Sequence, residues 1–150
     1  MVDRFEHFSH AINDISHCWR KLAGEELKKY GLKGSHATYL STMYHYPQGI
    51  SVPQLCEISG KDKSDASRML AILEEKGLVR KQEVDGSLYR GLLVLTEEGR
   101  AAAEHVRRRA AKAVEQAGGG LDDETREIFY RALDSITQRL NELSKNGIPE

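Results

Sequence analysis

Between residues 51 and 96 the spacing of apolar positions changes from a helical period to an alternating one. Leu55, Cys56 and Ile58 predict the apolar face of a short helix. Ser51 and Gln54 have capping-box spacing at its start, Pro53 fits a first turn whose N–H groups have no helical partner, and Gly60 ends it. A second helix is predicted from Asp62, a candidate N-cap, with Asp65 adding negative charge to its first turn. Its Ala66, Met69, Leu70 and Leu73 recur at helical spacing, and Gly77 closes it. The opposite face carries Lys63, Ser64, Ser67 and Arg68, side chains suited to base edges and phosphates. Residues 78–84 and 88–95 then read as two strands about an Asp85-Gly86 hairpin turn, and Thr96 with Glu97 and Glu98 opens another helix. Helix, tight turn, helix, strand, turn, strand is the order of a winged helix-turn-helix, an arrangement that lays its second helix in the major groove of duplex DNA.

The two ends of the chain carry a different pattern. Phe5, Phe8, Ile12, Ile15, Trp19 and Leu22 follow alternating steps of three and four residues, as do Phe129, Leu133, Ile136, Leu140 and Leu143. Each series draws an apolar seam along one side of a helix. The seams can be buried within one chain, or two copies can complete a four-helix core; a two-fold operator favours the second arrangement. Residues 96–117 predict a connecting helix with a seam of small residues, and Gly118-Gly119-Gly120 predicts a flexible joint after it. Arg107, Arg108 and Arg109 fan over a wide arc of that helix and read as a solvated face or as partners for Glu104 and Glu115. The expected fold class is therefore mainly α with a small β-hairpin wing. A single domain of residues 1–150 would comprise a helical dimerisation lobe (1–30 and 118–150), a winged helix-turn-helix (34–95) and a connecting helix (96–117).

The run SVPQLCEISGKDKSDASRMLAILEEKGLVRK and the later LTEEGRAAAE resemble the MarR family of transcriptional regulators. GLKGSHATYL is similar to that family's second helix and LDDETREIFYRALDSITQRL to its last, so the resemblance spans nearly the whole chain. It implies a homodimer that binds a pseudo-palindromic double-stranded DNA operator and answers to a small ligand or an oxidant. By position it puts Lys63, Ser64, Ser67 and Arg68 on the major-groove surface. The hairpin tip departs from the family pattern, which is longer and basic. Here it is only Asp85, Gly86 and Ser87, Tyr89 stands near the place of the usual arginine, and Arg90 follows one residue later. Lys61 and Arg90 are expected to hold phosphates.

Composition narrows the alternatives. A chain of 150 residues with 39% hydrophobic content can build one domain, and no apolar run approaches the ~20 residues of a membrane helix. No signal peptide is visible, and two cysteines make no disulfide framework, so a cytoplasmic location is expected. The net charge of −1 disfavours a protein that coats nucleic acid non-specifically. Residues 61–90 hold seven cations against six anions, which predicts modest affinity with strong salt dependence.

Trp19, His36, Tyr39 and Tyr46 are candidates to line a crevice for a flat aromatic effector, with ordinary packing at a lobe junction as the other reading. Cys18 is a candidate oxidant sensor because some relatives use a cysteine on the first helix, but it reads first as a buried, inert thiol beside Trp19. Cys56 reads as filling a small-residue position where the two head helices cross. The six histidines lack zinc-site spacing, no catalytic motif appears, and neither a metal nor another cofactor is expected. The expected function is sequence-specific DNA binding by a homodimeric regulator, a repressor released by a small aromatic ligand or an oxidant. The alternative is a winged-helix protein-interaction module, with an enzyme on this scaffold a more remote one.

Overall fold

The computed structural model describes residues 2–150, except for the side chains of Val2 and of residues 87–90. Six helices and one hairpin follow in the order α1 (Val2–Leu27), α2 (His36–Tyr44), α3 (Val52–Ser59), α4 (Lys63–Glu75), β1 (Val79–Val84), β2 (Ser87–Leu95), α5 (Glu97–Ala117) and α6 (Asp123–Asn146), with a 3-10 turn at Lys28–Tyr30. The backbone forms two compact units, residues 1–110 and 111–150.

The first unit holds the core. Leu27, Tyr39, Leu40, Met43, Leu55 and Leu73 are buried there together with Leu93 of the hairpin and Ala102 and Ala103 of α5. The local signals act where they stand in the sequence. Ser51 Oγ accepts from the Gln54 N–H at 3.3 Å, Asp62 Oδ1 accepts from the Asp65 N–H at 2.7 Å, and Gly60 takes a left-handed backbone (φ 67°) that closes α3. α2 ends at Tyr44, ahead of Pro47, which biases Tyr46 away from helical geometry. One expectation fails: Ile58 is exposed, whereas Leu55 is buried and Val52, Cys56 and Ser59 are half-buried. At ~100° per residue those four positions centre one stripe, and Ile58 lies roughly 110° away from it.

β1 and β2 pair antiparallel, Val79 with Leu95 and Gln82 with Leu92, and the register shifts between Gln82 and Val84. Asp85 and Gly86 both have positive φ (53° and 75°), as a two-residue hairpin of this twist requires. Ile50 extends the sheet by exchanging two backbone hydrogen bonds with Leu93, at 3.0 and 2.8 Å. Thr96 Oγ1 then donates to the Gly77 carbonyl at 2.6 Å and accepts from the Gly99 N–H at 3.1 Å, which ties the end of α4, the wing and the start of α5 together.

In the second unit Asp122 caps α6 by accepting from the Thr125 N–H at 2.7 Å. The Gly118–Gly120 turn is not left loose. Arg126 Nη2 donates to the carbonyls of Gly118 (3.2 Å) and Leu121 (3.0 Å), and Nη1 donates to Asp123 at 3.0 Å.

The terminal seams stay open to solvent in the single chain. Phe5, Phe8, Ile12, Ile15, Trp19 and Leu22 are exposed along α1, as are Phe129, Ile136, Leu140 and Leu143 on α6. Among the described residues no helix is long and apolar enough to cross a membrane.

Candidate nucleic-acid interface

α4 forms with one face in the core and the other in water. Ala66, Leu70 and Leu73 are buried, while Lys63, Ser64, Ser67 and Arg68 are all exposed, and Lys61 is exposed on the turn that precedes the helix. Five of the six residues expected to touch DNA therefore lie on one turn-and-helix segment. The side chain of the sixth, Arg90, lies outside the described residues. On β1 Arg80 and Lys81 are exposed, and Lys81 Nζ lies 3.8 Å from Glu74 Oε1, which spends part of its charge inside the head.

A contact between helices fixes the acid that sits among these groups. Tyr39 of α2 is fully buried, and its hydroxyl donates to Asp65 Oδ2 at 2.5 Å. The other oxygen, Oδ1, lies 3.8 Å from Arg68 Nη2. Burial and the adjoining Asp65 carboxylate push the Tyr39 phenol well above its usual range, so it remains a donor at any physiological pH. Sequence reasoning placed Asp65 only as a helix-dipole residue. Tyr39 is 26 positions away, and nothing local marks the pair.

The expected effector residues divide. Trp19 is exposed and Tyr46 half-buried, whereas His36 and Tyr39 are enclosed by the protein itself. His36 Nδ1 accepts from the Lys33 N–H at 3.0 Å, and Nε2 is buried without a hydrogen-bond partner among the described residues. Burial holds this imidazole below its ordinary pKa. Cys18, expected to be buried beside Trp19, is exposed instead, because α1 is covered only towards its Leu27 end. Cys56 packs against the core as expected. Among the described residues no three His, Cys, Asp or Glu side chains converge.

Arg107 and Arg109 of α5 find partners other than those expected. Arg109 Nε donates to Glu26 Oε1 at 2.7 Å, and His105 Nε2 lies 2.9 Å from Glu26 Oε2. The Arg109 bond is the chief cause that lowers the Glu26 pKa. Arg107 donates to His45 Nε2 at 3.0 Å and stands over the Tyr44 ring (4.5 Å to its centroid), with Arg100 at 4.7 Å from the same centroid. Of the expected acids, Glu104 pairs with Arg100 at 3.9 Å.

A family model described as MarR family matches residues 30–87, the segment that holds α2 to the hairpin turn. Over that segment the chain is similar to the MarR family. The likeness in fold runs well beyond that segment. A MarR transcriptional regulator from Methanosarcina mazei Go1 superposes with a TM-score of 0.82 at 20% identity over 92% of this chain and 99% of its own. A putative MarR family transcriptional regulator from Listeria monocytogenes, solved in complex with a 26mer DNA, gives 0.81 at 23% identity over 94% and 95%. S. aureus MepR, solved as a DNA complex, gives 0.78 at 19% identity over 89% and 96%. The MarR-type architecture of helices around a hairpin wing thus covers nearly the whole chain.

Proposed function

We propose that the protein is a homodimeric, sequence-specific DNA-binding transcriptional regulator whose α4 enters the major groove. The observation that carries this reading is the exposed polar face of α4, where Lys63, Ser64, Ser67 and Arg68 project from a capped helix braced by the core. That the Listeria and S. aureus relatives of the same fold were solved with DNA supports it. Lys63, Ser64, Ser67 and Arg68 contact base edges and phosphates, while Lys61 and Arg90 hold phosphates at the flanks. Two copies joined through the seams of α1 and α6 present two such helices to successive major grooves, about 34 Å apart. The regulator acts as a repressor: a small aromatic ligand or an oxidant changes the spacing of the heads and so releases the DNA. Of the four expected effector positions, Tyr46 is the one a ligand reaches without opening either the core or the α1 seam that the dimer covers, on which Trp19 lies; Cys18 is exposed in the single chain, where an oxidant reaches it.

A fluorescence titration against the promoter upstream of the protein's own gene, at two salt concentrations, tests the reading. Sequence-selective binding that weakens with salt is expected. Arg68→Ala costs on the order of 1–3 kcal/mol if that side chain reads a base. No binding at low salt, or an Arg68→Ala variant with unchanged affinity, refutes the assignment, and in the first case the surface becomes a protein-docking one.

A further inference from the structure

We propose that Tyr39 and Asp65 are positioning residues that turn Arg68 away from the DNA phosphates and towards a base. The inference rests on the DNA-binding reading above and goes beyond it, since neither residue belongs to the expected contact surface.

An arginine on the exposed face of a groove-entering helix has two classes of acceptor within reach. Phosphate oxygens carry full charge and no sequence information, whereas base edges carry information but only partial charge. With 70% of its side chain exposed, Arg68 has no packing of its own to choose between them. The only anion that pairs with it among the described residues is Asp65, one turn earlier on the same helix. An ordinary exposed pair of this spacing contributes little, because both side chains must be ordered to make it. Here one partner is already ordered. The buried Tyr39 hydroxyl holds Asp65 Oδ2 at 2.5 Å, the short limit for a hydroxyl on a carboxylate, and Oδ1 is left facing Arg68. The rotamer of Asp65 is therefore set from the core of the head, across the gap between α2 and α4. A fixed negative charge at this point also repels phosphate oxygens. Both effects weaken the pull of the DNA backbone on the guanidinium and leave the base edge as its remaining acceptor.

Two substitutions separate this role from simple packing. Tyr39→Phe keeps the buried ring and removes the hydroxyl. Asp65→Asn, at a half-buried position, is isosteric, keeps an acceptor for Tyr39 and removes the charge, so it serves even where the change in the core disturbs folding. The full-length dimer and its variants are titrated with the best duplex that the wild-type protein selects from a randomised pool, and with a scrambled duplex, across a salt series. Both variants are expected to lose on the order of tenfold in the ratio of selected to scrambled affinity. Their log affinity against log salt should steepen by about one, the signature of an added phosphate contact. In an Arg68→Ala background neither substitution should change the ratio further. Variants that keep the wild-type ratio and slope overturn the inference. So do variants that lose affinity for both duplexes in parallel, since that is the behaviour of a damaged fold. A wild-type protein that selects no sequence from the pool overturns the function itself and takes this inference with it, a result visible before any variant is made.

Discussion

His36 shows how a single buried group ties the head to pH. Its Nδ1 accepts a backbone hydrogen bond from Lys33 and the ring is almost wholly enclosed, so the folded protein holds the imidazole neutral. Burial is the chief cause of the lowered pKa, whereas in the unfolded chain the same group titrates near 6.5. Between the two values the unfolded chain binds more protons than the folded one. Stability therefore rises with pH through that interval, is fully present above about 6.5 and is lost progressively as pH falls below it. Urea denaturation at about pH 7.5 and about pH 5.5 should show the wild-type protein weakening more on acidification than a His36→Leu variant. Equal losses in the two proteins would remove His36 as the cause. Gly99 makes a different point at the same scale. A Cβ built there would stand 1.8 Å from the Leu78 carbonyl oxygen, backbone that cannot swing aside. Gly99→Ala should cost about 1–3 kcal/mol, read as a lower urea midpoint, although alanine is the better helix former. The glycine of LTEEGR is visible in the sequence, but the carbonyl pressed against it belongs to Leu78, just ahead of β1 and 21 positions earlier.

At the scale of elements, what could be read from the sequence was what short-range chemistry decides. The caps at Ser51 and Asp62, the stop at Gly60 and the turn at Asp85-Gly86 each involve residues within a few positions of one another, and each forms as its residue types dictate. Ile58 was misplaced because hydrophobicity alone does not say where the centre of a short stripe lies, and an eight-residue helix offers too few positions to fix it. The Gly118–Gly120 turn reads as a loose joint from composition, yet Arg126 fastens it through two carbonyls. Pairs such as Tyr39 with Asp65 and Glu26 with Arg109 are set by packing between helices and leave no local trace. The cap on α4 bears directly on the proposed interface, since it orders the turn that carries Lys63 and Ser64. Asp62→Ala should lower global stability by about 1 kcal/mol. Because fraying begins at that end, DNA affinity should fall together with hydrogen-exchange protection in the first turn. Unchanged protection there would show that Tyr39, through Asp65, already holds the turn without the cap.

The whole molecule is set by what a single chain leaves uncovered. Six large apolar side chains lie exposed along α1 and six along α6, where Phe129, Ile136, Leu140 and Leu143 fall on the seam; the two seams are too regular to be the scattered surface hydrophobics of any protein. Such stripes are stabilised by packing against another surface, and in the proposed dimer a second copy of the same chain would supply complementary ones under two-fold symmetry. If so, folding and association are linked, and the melting temperature should rise with protein concentration as mass action requires. Sedimentation equilibrium should return a dimer. The pair Ile12→Glu and Leu140→Glu sets a charge in the middle of each stripe, far from α4 in sequence, and should yield a monomer. Joining two heads makes the second half-site encounter intramolecular, an advantage worth roughly a hundredfold or more. The charged variant should therefore lose about that factor on a full operator yet bind an isolated half-site as the wild-type head does. A wild-type chain that stays monomeric at every concentration while holding the full operator tightly would break the link between the exposed stripes and DNA recognition. The stripes would then have to face some other partner, with a single head left to supply all of the affinity.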